Sequence, residues 1–474
     1  MQRRIRGHFV RNVITLSGAT ATAQFITILI SPVLTRVYSP ADFGVFGVFS
    51  AVLALAGAAS SLRYEAALPL CKDERTSLSL LAVVGFLLLA FAGVTAVLLL
   101  FLDRAAGAWL QGLSIYSVLW LLPVAILIFG MYQALGLWLG RSQRFRLLSA
   151  SRILSSGTQA IFQVMGGLLQ LGATGLVAGV ILGRLSGSII GFARSLTGAR
   201  LPAWRDLMGT AKQYKKFPVY YLWASLVHAV GLQLPIILFA SSFSAELTGF
   251  YALTMRVLGL PVLLLGEAVS RVFYPTAVER LKHPEKLRSL VLNVLTTLLY
   301  VAVPVFLAVF FWAPEAFSFV FGETWRDAGR FVQVLTIWFF LQFISSPLST
   351  LVLVKGRQRT QLIFSICDAA FRIGMLWLGI LTGSAYWALG ALAGAGAISM
   401  AIYTGWMLRL VSLSYTDWLF NQVGYFVQGL IVLGLVVALQ VLLAPLPAML
   451  GGMTILGIFG AVSFTRLRFR ADVG

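Results

Sequence analysis

Charge is scarce in this 474-residue sequence: 11% of residues are Asp, Glu, Lys or Arg, against 59% hydrophobic ones. Soluble domains carry roughly a quarter charged residues, so a water-soluble globular fold is excluded. Acids are scarcer still, 16 against 36 Lys and Arg. There are two cysteines, Cys71 and Cys367, which form neither a metal spacing nor a disulfide framework. No Gly-x-x-x-x-Gly-Lys-Ser/Thr loop, zinc spacing or nucleophile elbow is present. ATP hydrolysis, metal chemistry and a bound cofactor are therefore not expected, and the chain does not read as an enzyme.

Long apolar runs are what the sequence does contain, with a mean hydropathy of +0.90. About fourteen stretches, most at least ~20 residues long, match the ~30 Å hydrocarbon core of a bilayer. The expected helices span 12–36, 42–62, 77–102, 113–139, 148–171, 174–194, 217–240, 247–274, 290–312, 329–354, 361–382, 385–408, 419–444 and 447–465. Arg3, Arg4, Arg6 and Arg11 precede the first run as they would in a signal peptide. Val13–Val37 is long for one and lacks a small-residue cleavage pattern, so it reads as a retained helix. Almost no mass is left outside the lipid, which makes passage of a cargo the first functional expectation.

The basic residues give the orientation. With the N-terminus inside, 29 of the 36 fall in inner connections or their helix ends, and four (Arg36, Arg104, Arg326, Arg330) fall outside. This is the positive-inside pattern, with both termini cytoplasmic. Dispersal over many short connections also argues against a nucleic-acid surface. The inner connection 195–216 sets Trp204, Leu207 and Met208 among Arg and Lys, which predicts a short amphipathic surface helix. Three arginines remain, Arg184, Arg256 and Arg372, all deep in expected helices.

The chain also echoes itself. Leu234-Pro235-Ile236-Ile237 followed by Phe243-Ser244-Ala245-Glu246-Leu247-Thr248-Gly249-Phe250-Tyr251 repeats Ser31-Pro32-Val33-Leu34 followed by Tyr38-Ser39-Pro40-Ala41-Asp42-Phe43-Gly44-Val45-Phe46. Gln358-Arg359 repeats Gln143-Arg144 in the same order. Six helices per repeat keep both halves in one orientation, related by an axis along the membrane normal, with the transport path between them. The expected organisation is a six-helix lobe at 1–196, an amphipathic linker at 197–216, a second lobe at 217–410, and a helix pair with a basic tail at 411–474.

Tyr38-Ser39-Pro40-Ala41-Asp42-Phe43-Gly44 and Leu62-Arg63-Tyr64-Glu65-Ala66-Ala67-Leu68-Pro69 resemble stretches of the polysaccharide and oligosaccharide-lipid flippases, O-antigen flippases among them. These form a branch of the multidrug/oligosaccharidyl-lipid/polysaccharide exporter superfamily. The resemblance runs through the first twelve helices. It implies an all-α polytopic protein with two pseudo-symmetric six-helix lobes around a central cavity that opens alternately to each side. It also implies a cargo of undecaprenyl-pyrophosphate-linked oligosaccharide, moved from the cytoplasmic to the periplasmic leaflet of a bacterial inner membrane.

Such a cargo needs cations for its pyrophosphate, and hydroxyls and amides for its sugars. Arg256, Arg184, Arg372 and Arg63 are the pyrophosphate candidates, because the guanidinium fork donates bidentate hydrogen bonds. Asp368, four residues before Arg372, makes a structural pair the competing reading there. Thr15, Ser17, Thr20, Thr22, Gln24 and Thr27 are candidate cavity-lining groups, with helix–helix hydrogen bonding as the alternative. Glu65, Glu267, Asp368 and His228 are the groups placed to sense a coupling H⁺ or Na⁺. Membrane lipids and the pathway's polymerase or glycosyltransferases are the expected partners. A drug/cation antiporter of the same superfamily would be expected to place an unpaired acid inside the first lobe. There Asp42, Glu65 and Asp103 all sit near helix ends. A membrane glycosyltransferase or polymerase would need a large outer loop. A lipid II flippase is not separated from an O-antigen flippase by these residues.

Overall fold

The computed structural model describes residues 2–111, 115–193 and 203–414, with scattered positions between 416 and 459. Side chains are described from residue 18 onward, except at 106–111, 193, 263–265, 267, 268 and 271. Among the described residues the fold is all-α, and ten helical segments are long and apolar enough to cross a bilayer. Backbone groups have no water to bond in hydrocarbon, so helices that satisfy their own hydrogen bonds are what such a sequence must form.

The helices are α1 Gln2–Val37, α2 Pro40–Ser60, α3 Glu74–Gln111, α4 Leu122–Arg141, α5 Phe145–Leu168 and α6 Ala173–Ala193. They continue with the short α7 Trp204–Gln213, then α8 Leu222–Ser242, α9 Ala245–Glu279, α10 Pro284–Phe321, α11 Arg326–Ser345, α12 Gln358–Ile380 and α13 Ala385–Arg409. All except α7 correspond to the twelve spans expected before residue 410. The last two expected spans, 419–444 and 447–465, fall outside the described residues but for scattered positions.

Helix ends differ from the hydropathy runs for physical reasons. α3 and α10 extend well beyond 77–102 and 290–312, because intrahelical bonding continues into sequence too polar to score as lipid-embedded. The helix expected at 113–139 is divided near Pro123. A one-turn helix, Tyr116–Leu119, ends before it, and Pro123 stands in the first turn of α4, where its missing N–H costs nothing. Pro347 likewise falls in a 3₁₀ turn, Ser346–Ser349, beyond α11.

Contacts between α-carbons divide the chain into two compact units, 1–252 and 253–474. In the first, α5 packs along α6 and α1, α3 lies on α4, and α2 lies on α8. Apolar burial drives little of this in lipid, whose tails are as apolar as leucine; close backbone approach and buried hydrogen bonds do more. Gly183 and Gly187 of α6 show that approach. A Cβ at each would stand 2.6 Å and 2.9 Å from the carbonyl oxygens of Ser155 and Ser151 on α5. Tyr38, from the echoed motif, donates its hydroxyl to the Gln163 carbonyl at 2.6 Å.

The echoed segments start two helices in the same manner and then meet. Ser39 caps α2 in a capping box with Asp42, and Ser244 accepts the Leu247 N–H at the start of α9. A Cβ on Gly44 would lie 2.0 Å from the Ala245 carbonyl oxygen, and one on Gly249 would lie 1.7 Å from that of Pro40. The contact is therefore reciprocal, and only glycine permits it on either side.

The helix expected in 195–216 is α7. Arg75 ion-pairs with its Asp206 at 2.9 Å, Tyr64 donates to its Ala211 carbonyl at 3.2 Å, and Phe86 meets its Trp204 edge-on. In the second unit α11 packs against α10 and α13, and α12 against α13.

Candidate functional site

A cavity of about 530 Å³ opens in the first unit between the C-terminal half of α4 and the start of α5, with Pro69 of the 64–70 turn at its edge. Tyr132, Gln133 and Arg141 of α4 line it together with Ser151 and Arg152 of α5. Among the described lining residues there is no carboxylate.

The two arginines are held by neutral groups. Arg152 donates to the Thr20 hydroxyl of α1. Arg141 donates through Nε to the Cys71 carbonyl at 3.0 Å. Among the described residues neither is in an ion pair. Arg152 lies seven residues after the first residue of α5, about 10 Å along the axis. Arg141 is the last residue of α4, and hydrogen bonds from Thr76, together with the charge of Arg141, hold the Asp73 carboxyl below the usual carboxylate range. Behind the cavity, Arg184 of α6 sits 4.9 Å from the Tyr132 ring centroid and 5.2 Å from that of Phe129, a cation–π arrangement. Burial pushes the nearby Cys71 thiol up; burial and a hydrogen bond to that thiol raise Tyr214 to about 12.

The structure gathers some of the sequence candidates and separates others. Thr20 and Arg184 flank the cavity. Arg63 has left-handed backbone at φ 63°, and its Nη1 lies 3.3 Å from Glu65. Glu65 is buried and also accepts the Ser61 hydroxyl. Arg372 and Asp368 form a bidentate pair at 3.0 Å and 2.7 Å, with the Arg372 guanidinium 5.2 Å from the Trp338 ring centroid. Arg256 is half-buried on α9, in the second unit. Thr22 and Thr27 bond back to the carbonyls of Gly18 and Ala23, Gln24 is half-buried, and His228 is exposed on α8. The side chains of Thr15, Ser17 and Glu267 fall outside the described residues.

Sequence reasoning missed Arg141 and Arg152, counting both toward the inner-face charge bias. Arg152 stands inside a helix rather than at its end, the same signal that singled out Arg184, Arg256 and Arg372.

The second unit holds another cavity of about 530 Å³, of different character. Val303, Phe306 and Phe310 of α10 face Ile337 and Phe340 of α11 across it. Its polar members are Gln333, whose amide donates to the Phe310 carbonyl at 2.6 Å, and Thr336, bonded to the Val332 carbonyl.

A family model described as polysaccharide biosynthesis protein matches residues 33–330. The chain is 29% identical over 152 residues to the teichuronic acid biosynthesis protein TuaB of Bacillus subtilis, covering 32% of this chain and 31% of TuaB. It is 23% identical over 155 residues to the lipopolysaccharide biosynthesis protein WzxC of Escherichia coli, covering 33% and 32%. The chain thus aligns with about a third of each of these relatives. The solved structure of the lipid II flippase MurJ, in an inward closed conformation, superposes with a TM-score of 0.76 over 97% of this chain and all of that one, at 14% identity. At that identity the likeness is one of fold.

Proposed function

The chain belongs to the polysaccharide biosynthesis protein family, and on that premise we propose that it flips an undecaprenyl-pyrophosphate-linked oligosaccharide across the bacterial inner membrane. It does so by alternating access, from the cytoplasmic to the periplasmic leaflet, for O-antigen or exopolysaccharide. The observation that carries this is a cavity with two arginines and no described carboxylate, inside a membrane-spanning unit whose fold is that of a lipid flippase. Binding an anionic head requires such a place; a cation exporter would be hindered by it. Arg256 and Arg184 are the proposed pyrophosphate anchors. Arg63 and Arg372 already face acids, which makes them weaker donors to a cargo. The apolar cavity at Phe306 suits the polyprenyl part of the same molecule.

Both termini and α7 are cytoplasmic in this reading. Cysteines placed at Gly107 and Glu323 label from outside with an impermeant reagent, and one at Gln213 does not. Direction comes from an H⁺ or Na⁺ gradient or from consumption of the product by a polymerase or glycosyltransferase. Asp368 and Glu65 each already bond an arginine, so a coupling cation would have to break an ion pair to use either.

The antiporter reading is disfavoured by the three acids noted in the first unit. Asp42 is in its capping box, Glu65 is bonded to Ser61 and Arg63, and Asp103 accepts the Tyr116 hydroxyl at 3.1 Å. The test is surface polysaccharide in a flippase-null strain, corrected for protein in the membrane. Restored export supports the proposal. Growth rescue of a strain depleted of its lipid II flippase, with no polysaccharide export, would move the cargo to lipid II.

A further inference from the structure

We propose that α7 is a two-faced anchor: one face docks on a bilayer surface of anionic glycerophospholipid headgroups, and the other holds the 64–75 segment of the first unit. The inference needs the membrane reading of the chain and not the flippase reading.

One face of α7 is occupied by protein. Leu207, Ala211 and Tyr214, at helical spacing, pack against a buried cluster that includes Tyr64, Leu68, Leu80 and Trp138. Polar contacts add to this docking. The Tyr64 hydroxyl donates to the Ala211 carbonyl, Tyr214 bonds the Cys71 thiol, and Asp206 pairs with Arg75.

A second face is open. Trp204 is 60% and Met208 51% exposed, one turn apart. Trp204 meets Phe86 edge-on, and Phe86 is itself exposed on α3, whose residues 74–105 are long and apolar enough to cross a bilayer. Leu89 and Val97 continue that exposed apolar surface along α3. Hydrocarbon lies against such a surface, so the Trp204 face stands at its edge, where amphipathic helices rest between headgroups and acyl chains.

The third observation is charge. At about 100° per residue, Arg205 and Lys212 stand on the flank next to Trp204 and Met208, and Lys215 and Lys216 follow the helix end; all four are exposed. The acid of this stretch, Asp206, already pairs with Arg75, and the neighbouring 72–75 stretch, Lys-Asp-Glu-Arg, is neutral. Tyr220, Tyr221 and Trp223, exposed around the start of α8, add interfacial aromatics. An acidic protein partner would use the lysines and leave idle an apolar face that runs on into the surface of α3. A bilayer with anionic headgroups satisfies both. Pro69 of the 64–70 turn borders the arginine-lined cavity, so fixing α7 on lipid steadies the edge of that cavity.

The test uses the full-length protein in nanodiscs of phosphatidylcholine and phosphatidylglycerol. Met208→Cys with Cys367→Ser carries an apolar fluorophore in place of an apolar side chain; the remaining Cys71 is buried. Bromine atoms on the chains of one lipid or the other quench it on contact. At equal mole fraction, brominated phosphatidylglycerol should quench about threefold more than brominated phosphatidylcholine. The preference should fall to about one when Arg205→Gln, Lys212→Gln, Lys215→Gln and Lys216→Gln are combined, and likewise at high salt, which screens exposed charges. Lys282→Gln, exposed in the second unit, should keep it. Hydrogen exchange of the 64–75 amides should slow about threefold when phosphatidylglycerol is added, and should ignore it in the fourfold variant. Equal quenching by the two lipids, with the native charges in place, would overturn the proposal. So would quenching by neither, since protein or water would then cover the Trp204 face. Exchange at 64–75 that ignores lipid charge while the quenching preference persists would overturn the coupling between the two faces. None of these readouts uses a cargo, so folded protein that passes them and flips no lipid-linked saccharide would sink the flippase reading and leave this inference standing.

Discussion

The cavities of the two units each enclose about 530 Å³, yet guanidiniums line one and phenylalanine rings the other. The polar groups of the second cavity are consumed locally: Gln333 and Thr336 each bond a backbone carbonyl. In the first, Ser151 and Arg141 bond backbone carbonyls too, but Arg141 and Arg152 bring positive charge to the lining. A cavity whose few polar groups are neutral and satisfied offers a ligand mainly apolar contact, whereas one lined by two arginines selects by charge. A cargo with a charged head and a long apolar tail is the kind of molecule for which both make sense.

The comparison can be broken most severely through the charges of the second unit. Arg372 and Asp368 neutralise each other, with side chains 13% and 9% exposed. Arg372→Ala strands the carboxylate and should cost about 3–5 kcal/mol of stability, seen as lost folded yield in detergent. Asp368→Leu with Arg372→Met should recover most of that yield, because removing both charges leaves neither unpaired. Equal yield from Arg372→Ala and the double variant would show that the pair is not structural.

In the first unit the same kind of substitution should spare folding and remove function. Arg152→Gln should lower polysaccharide export about tenfold at equal membrane abundance, with Arg152→Lys retaining part of it. In the second unit, Arg256→Ala should also remove most export, and Arg256→Lys less, because charge is kept and the bidentate fork is lost. Wild-type export from Arg256→Ala at equal abundance would rule that residue out as an anchor.

A smaller effect is expected in the apolar cavity. Phe310→Ala keeps the backbone carbonyl that Gln333 uses and enlarges the space. It should weaken binding of undecaprenyl pyrophosphate a few-fold while leaving a short-chain isoprenyl pyrophosphate unaffected. Equal losses for both chain lengths would mean that this cavity does not contact the chain.

Much of the fold was legible in the sequence because a bilayer imposes a helix length that hydropathy records directly. The Asp368–Arg372 pair was legible for a similar reason, since it is set by spacing along one helix; the capping box at Ser39 and Asp42 is set by spacing too but was not read from the sequence. The site was less so. A positive-inside count treats Arg141 and Arg152 as equivalent to Arg144 or Arg146, although a cavity-lining arginine and a surface arginine differ only in what surrounds them. Nor does any local pattern bring Thr20 to Arg152, 132 residues away. Of the polar groups of α1, Thr20 reaches Arg152, while Thr22 and Thr27 also bond carbonyls of their own helix. The reciprocal meeting of Gly44 and Gly249 was legible only as an echo; that the two copies touch is a fact of tertiary structure.

The most direct test of the central claim, that this chain moves a lipid-linked saccharide by its anionic head, is flipping in proteoliposomes. Purified protein is reconstituted with a fluorescent undecaprenyl-pyrophosphate oligosaccharide, and the fraction reachable by an added membrane-impermeant quencher is followed over time. The account predicts that wild-type protein makes the inner-leaflet pool accessible and that Arg152→Gln slows this about tenfold while remaining folded. Accessibility equal to that of protein-free vesicles, from wild-type protein that is folded and binds undecaprenyl pyrophosphate, would contradict it.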